Sequence, residues 1–110
     1  MVKIDTEKEG LEMTHHEWEV PLYKKLLTEE DLEMISREAW EFLLEELDPQ
    51  TISRASVINS LNAHVDEGVL KFREKTGKGG YHRVYSRNMT LDEYYKHIAN
   101  QVNQALEPYI

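Results

Sequence analysis

The sequence predicts one mostly α-helical domain with a single small β-hairpin and a C-terminal helix. Apolar residues recur at helical spacing in four stretches, at about 18–27, 28–47, 53–67 and 90–107. A fifth stretch, at about 69–86, is rich in aromatic and β-branched residues around the segment TGKGG, as expected for two strands and a turn. The 110 residues, 40% of them apolar and 31% charged, suffice for one folded domain with a single core.

The polar N-terminus is expected to be a disordered tail over residues 1–12, so that the domain comprises residues 13–110. Trp18, Leu22 and Leu26 then recur every four residues and mark one face of a first helix. Pro21 suits the first turn of this helix, where a missing N–H leaves no hydrogen bond unmade.

Residues 28–47 admit two interpretations. Thr28, followed by acidic residues, resembles an N-cap that would begin one helix over the whole range. Alternatively, the helix breaks near Met34–Ile35 and restarts with Ser36 as its N-cap. Pro49 ends the helix in both cases, because proline disfavours a helical residue before it.

The third helix is expected over residues 53–67. Thr51 or Ser53 is its N-cap, and Gly68 suits the left-handed conformation that commonly closes a helix. Its apolar residues share one face, whereas the opposite face carries short, almost uncharged side chains.

The glycine-rich turn TGKGG raises the question of a phosphate site. A phosphate-binding glycine loop joins a strand to a helix, with the spacing Gly-x4-Gly-Lys-Ser/Thr. TGKGG lacks that spacing and joins two predicted strands, so we interpret it as the tip of a hairpin. A final helix, capped by Thr90, follows at about 90–107.

The net charge of −8 is unevenly distributed. Residues 1–48 carry a net charge of −10, whereas residues 49–90 carry +4. Within residues 71–87 the net charge is +5, because this segment contains six Lys or Arg residues and a single acidic residue, Glu74. A basic segment in an acidic chain indicates a local anion-binding surface.

Three helices followed by a two-stranded hairpin are the elements of a winged helix-turn-helix domain. Its third helix lies in the major groove of DNA, and the hairpin, or wing, flanks it. Short side chains permit close approach to base edges, and asparagine can bond adenine in a bidentate way. We therefore predict that base reading falls to Arg54, Ser56, Asn59 and Ala63.

Phosphate contacts are expected from the start of the third helix and from the hairpin. Basic side chains add affinity regardless of sequence, and glycines allow backbone N–H groups to approach phosphates. The residues predicted to contact the DNA backbone are Ser53, Lys71, Arg73, Lys75, Lys78, Gly79 and Arg83.

The segments ISREAWEFLLEEL, SRASVINSLNAHVDEGVLKF and TGKGGYHRVYS resemble winged-helix transcriptional regulators related to the penicillinase (beta-lactamase) repressors of prokaryotes. The resemblance covers roughly residues 35–86. It implies a second helix over Ser36–Leu47, a recognition helix over Ser53–Glu67, and DNA binding by Arg54, Ser56, Asn59 and the wing. Those repressors dimerise through a multi-helix C-terminal domain that is cut on induction, and residues 90–110 are too short to imply it.

The last helix carries an apolar seam with alternating steps of four and three residues. Such a seam suits a partner helix in a homodimer, or packing against the helix near Trp18 in the same chain. The predicted dimer interface comprises Leu91, Tyr95, Ile98 and Val102.

The expected function is sequence-specific binding of double-stranded DNA by a cytoplasmic, homodimeric transcriptional repressor, with an effector of unknown chemistry possible. The alternative is a winged-helix protein–protein interaction module without DNA-binding activity, which would use the acidic first half. No cysteine is present and the five histidines lack metal-ligand spacing, so no metal or cofactor is expected. No nucleophile–base pair suggests an enzyme, and no apolar run approaches the ~20 residues that cross a membrane. His64 is expected to be a hydrogen-bonded core residue.

Overall fold

A computed structural model of the chain describes residues 3–110. Four α-helices and a three-stranded antiparallel sheet form a small α+β domain. In chain order the elements are α1 (Val20–Thr28), β1 (Met34–Ile35), α2 (Ser36–Leu47), α3 (Arg54–Asp66), β2 (Leu70–Gly77), β3 (Gly80–Arg87) and α4 (Leu91–Leu106). Short 3-10 helices lie at Gly10–Met13, Glu17–Glu19 and Glu107–Tyr109.

The region 28–47 is broken, so the single-helix interpretation is wrong. Thr28 is the last residue of α1 and not an N-cap, and the chain turns through Asp31, whose φ is 60°. Helix α2 begins at Ser36, with Ile35 in the N-cap position that the sequence assigned to Ser36. The Glu38 carboxylate accepts a hydrogen bond from the Ile35 N–H at 3.0 Å, which satisfies a donor at the helix start.

The short strand β1 was not predicted. Met34 pairs with Tyr85 and Ile35 with Val84, which gives the sheet the order β1-β3-β2. Two residues are too few to show an alternating pattern, so only the pairing with β3 identifies them as a strand.

The hairpin runs in regular register from Leu70 opposite Arg87 to Gly77 opposite Gly80. Its turn is only two residues long, Lys78 and Gly79, so the strands extend further than the sequence indicated. Gly79 and Gly80 have φ values of 94° and 113°, which side chains other than glycine rarely adopt.

The core lies where α1, α2 and α3 meet. Leu22, Leu26, Leu43, Val57 and Leu61 are fully buried there. The hairpin and α4 close this core from two sides through a small set of buried residues, Val69, Leu70, Tyr85, Tyr94 and Ile98.

The N-terminal segment differs from the expected disordered tail. Leu11 is only 5% exposed and belongs to the core, and the Asp5 N–H donates to the Met13 carbonyl at 2.7 Å. Ile4 packs against the same core. One buried leucine anchors a short turn that a polar composition does not reveal; residues 1–2 of the expected tail lie outside the described residues.

A buried polar contact sets the rotation of α3 against α1. Ser60 is buried, and its hydroxyl donates to the Glu19 carboxylate at 2.5 Å. Because that proton is used, the Tyr23 hydroxyl is the donor in the 2.6 Å bond to Ser60 Oγ. Burial raises the pKa of Tyr23, so the phenol keeps the proton that it donates.

Two histidines extend this contact to the N-terminal segment. The Nε2 atoms of His15 and His64 are 2.7 Å apart, and His64 Nδ1 is 2.7 Å from the Ser60 carbonyl oxygen. The carbonyl can only accept, so a neutral His64 carries its proton on Nδ1 and accepts at Nε2 from His15. His15 Nδ1 lies 2.9 Å from the Thr14 hydroxyl oxygen and 3.2 Å from the Leu11 carbonyl oxygen, and the Thr14 and Tyr94 hydroxyl oxygens are 2.7 Å apart.

This neutral chain of hydrogen bonds resists protonation. Burial lowers the pKa of His15 from its ordinary value of 6.5 to about 4, and burial also lowers that of His64. Desolvation is the main cause in both cases, because a buried imidazolium loses its hydration.

Acid should therefore destabilise the domain. Below about pH 6.5 the unfolded chain binds protons that the folded chain excludes, so the free energy of unfolding falls as the pH drops towards 4. His15 alone accounts for a loss on the order of 3 kcal/mol, measurable by urea unfolding at several pH values.

A matched pair of variants tests whether His15 causes the loss of stability in acid. His15→Gln keeps a donor towards His64 but removes a titrating group, so its stability should depend less steeply on pH. His16→Gln changes the neighbouring exposed histidine and should reduce the pH dependence less than His15→Gln does. If the free energy of unfolding depends on pH equally in the wild type and in both variants, His15 is not the source of the acid sensitivity.

Candidate nucleic-acid interface

Helix α3 is positioned by its own N-cap. Ser53 Oγ accepts from the Ser56 N–H at 3.1 Å, which confirms Ser53 as the cap, and the two hydroxyl oxygens are 2.8 Å apart. Ser56 is half-buried and occupied in this cap. Of the predicted base-reading residues, Ser56 is therefore the least accessible to a ligand.

The outward face of α3 carries short side chains. Asn59 and Ala63 are exposed one turn apart, and Arg54 is exposed at the first helical residue. Ala55 is also exposed and completes the series 55, 59 and 63 at steps of four. Ala55 was not predicted, although its spacing of four residues from Asn59 places it on this face.

Asn62 ties α3 to the hairpin. Its Oδ1 accepts from the Tyr85 hydroxyl at 2.7 Å and from Arg83 Nη1 at 3.1 Å. The Arg83 guanidinium also lies 4.0 Å from the centroid of the Phe72 ring. No local pattern in the sequence signals this contact of Asn62.

These contacts show which face of the hairpin turns towards α3. Side chains alternate along a strand, and the register puts Phe72 opposite Tyr85 and Glu74 opposite Arg83 on that face. Lys71, Arg73 and Lys75 therefore lie on the other face.

The opposite face of the hairpin meets acidic side chains. Arg73 binds Glu33 through two hydrogen bonds, of 2.7 and 3.2 Å. The hydrogen bond from Arg73 lowers the pKa of Glu33, and the charges of Arg73, Lys75 and Lys71 lower it further. The predicted backbone-contacting residues are thus divided, because Arg83 faces α3 whereas Lys71, Arg73 and Lys75 surround Glu33.

The tip of the hairpin lies between these two faces. Lys78 and Gly79 form the turn and are exposed. The Lys78 ammonium group makes no ion pair with any residue in the range 3–110. It is therefore available to an anion, whereas Arg73 is already neutralised by Glu33.

The predicted dimer seam on α4 is also divided. Ile98 is buried in the core and Leu91 packs against it, as does the neighbouring Tyr94. Tyr95 is 41% exposed and Val102 is half-buried. Two of the four predicted interface residues therefore stabilise the chain itself.

Within residues 3–110, no group of three or more His, Cys, Asp or Glu side chains is arranged to hold a metal ion. None of the helices in that range has the length and apolar character needed to cross a membrane.

The Asn62 link should contribute measurably to stability. Asn62→Ala leaves the half-buried Tyr85 hydroxyl and Arg83 without their acceptor, which should cost about 1–3 kcal/mol in urea unfolding. Asn62→Asp keeps an acceptor oxygen at the same position and should cost less. If Asn62→Ala and Asn62→Asp differ much less in stability when Tyr85 is also replaced by phenylalanine, the hydrogen bond from the Tyr85 hydroxyl causes the difference between them. If the effects of the substitutions simply add, that hydrogen bond is not the cause.

Comparison of the chain with protein-family models, curated proteins and solved structures finds no match. The resemblance to the penicillinase repressors therefore stays a prediction from the quoted segments. The geometry of α3 and the hairpin supports the function proposed below.

Proposed function

We propose that this chain is a winged-helix protein that binds double-stranded DNA in a sequence-specific way and acts as a transcriptional regulator. Helix α3 enters the major groove and the β2–β3 hairpin is the wing. The observation that carries the proposal is the outward face of α3, whose short side chains lie beside a hairpin held to the same helix by Asn62.

The side chains of α3 support a role in reading bases. Asn59 is exposed and can offer its amide to an adenine edge, and Arg54 can offer its guanidinium to guanine. Ala55 and Ala63 flank Asn59 along the helix, and their small size lets the helix backbone approach the groove floor. Asp66 is the first acidic residue on this face and lies at the far end of α3.

The charge distribution supports an interface limited to α3, the tip of the hairpin and Arg83. Lys78 projects from the tip, and Arg83 lies between the wing and α3. The remaining basic residues of the wing lie near Glu33, which weakens their attraction for phosphate. With a net charge of −8 on the chain, we expect binding that depends on a few phosphate contacts and weakens with salt in proportion to their number.

A protein-interaction module is the competing function. The exposed acids Glu41, Glu45 and Glu46 on α2 favour it, because they form a negative surface suited to a basic protein partner. The two functions differ in one simple measurement, since only a DNA-binding protein retains mixed duplex DNA at low salt and releases it at high salt.

The role of the wing tip can be tested with one lysine. Lys78→Ala should weaken binding to all duplexes by a similar factor, and it should reduce the slope of log K against log salt by about 0.9. Lys8→Ala, in the acidic N-terminal segment, removes the same charge elsewhere and should change neither quantity. A loss restricted to one DNA sequence would argue against a phosphate contact by Lys78.

Asn59 provides the test of base reading. DNA selected by the purified protein from a random pool defines a preferred site, and Asn59→Ala should cost about 1–3 kcal/mol on that site but little on unrelated DNA. The melting temperature should hardly change, because Asn59 is exposed. Unchanged discrimination between the two DNAs would exclude Asn59 as a base-reading residue.

A further inference from the structure

Helix α4 has a second apolar face that its own core leaves uncovered. The buried side of the helix carries Tyr94 and Ile98, whereas Tyr95 and Leu106 are 41% and 50% exposed. The uncovered face, here called the α4 stripe, follows steps of four, three and four residues and comprises Tyr95, Ala99, Val102 and Leu106.

The C-terminal part of α4 is free of charge. Residues 98–106 contain no Asp, Glu, Lys or Arg, although such residues make up 31% of the chain. A helix face that stays in water normally carries charged side chains opposite its buried stripe. Depletion of charge is instead typical of the central part of a protein–protein interface.

The spacing of the residues in the α4 stripe is symmetric along the helix. Its steps are symmetric about the midpoint between Ala99 and Val102, with large side chains at both ends and smaller ones in the middle. An antiparallel copy of the helix, centred on that midpoint, places Tyr95 against Leu106 and Ala99 against Val102. The small Ala99 permits close approach of the two helix backbones at the centre.

We propose that α4 pairs antiparallel with α4 of a second copy of this chain, about a twofold axis between Ala99 and Val102. Such an interface is isologous, because the same surface is used by both copies. The inference does not depend on DNA binding, since every residue in it lies outside α3 and the hairpin.

A groove beside α4 accommodates the second helix. It has a volume of about 540 Å³ and lies between α4 and the N-terminal segment, where Ile4 and Met13 form its far wall. Tyr95, Ala99 and Val102 line the groove as well. Antiparallel pairing directs Leu106 of each copy to the Tyr95 end of the other copy's groove.

The charges that flank the α4 stripe also favour antiparallel pairing. Lys96 lies near the start of α4 and Glu107 directly follows its last residue, and both are exposed. An antiparallel pair brings Lys96 of each copy towards Glu107 of the other, whereas a parallel pair would place like charges together. Opposite charges at such flanking positions select the orientation of paired helices.

Sedimentation tests whether the α4 stripe is the interface. The wild-type chain should be a dimer at micromolar concentration, and Leu106→Glu should weaken dimerisation about 100-fold or more by placing a carboxylate in an apolar site. Gln104→Glu adds the same charge to α4 away from the stripe and should leave the dimer intact. Leu106 is half exposed, so the variant should keep the wild-type circular dichroism spectrum.

The absence of cysteine from the chain allows a direct test of orientation. Under mild oxidation, Val102→Cys should form a covalent dimer, since the two residues lie close to the axis. Leu106→Cys should not, because its two copies are ~16 Å apart along an antiparallel pair at 1.5 Å per residue. A parallel pair would instead cross-link both variants.

Each outcome decides the proposal. A wild-type monomer at 100 µM, a dimer that survives Leu106→Glu, or efficient cross-linking of Leu106→Cys would overturn it. A monomeric Leu106→Glu variant that still binds DNA at higher protein concentration would support both this proposal and the proposed function. Loss of DNA binding in Asn59→Ala with unchanged sedimentation would bear on the DNA-binding surface alone.

Discussion

The rotation of α3 depends on the burial of Ser60. A serine hydroxyl inside an apolar core is costly unless it is bonded, and here it donates to Glu19 and accepts from Tyr23. These partners belong to α1 and the short helix before it, so α3 cannot rotate without breaking both bonds. Val57, Ser60 and Leu61 together occupy the inward side of α3, which leaves Asn59 and Ala63 exposed on its outer side. The candidate interface is thus a consequence of the core.

The hairpin is held in place by a second polar contact on the same helix. Asn62 accepts from both Tyr85 and Arg83, so the strand nearest α3 follows any movement of that helix. Glu33 restrains the opposite face of the hairpin through Arg73. The hairpin is therefore fixed on both faces near its base, while its tip at Lys78 stays free to meet a ligand.

Helix α4 serves the fold and the proposed assembly with different faces. Tyr94 connects it to the histidine pair through Thr14, and Ile98 joins the core. The α4 stripe lies beside this buried face and is partly exposed. Separation of the two faces explains why a single apolar seam in the sequence corresponds to two surfaces in the structure.

The sequence by itself determined the order of the helices and the hairpin, located the cap Thr90 and limited the cap of α3 to Thr51 or Ser53. These features depend on residues within one or two turns, so they can be recognised locally. Only the tertiary structure decided that β1 joins the sheet, that Leu11 enters the core and that Arg73 turns to Glu33. Each of these rests on contacts between residues far apart in the chain, such as Arg73 and Glu33, which no local pattern encodes.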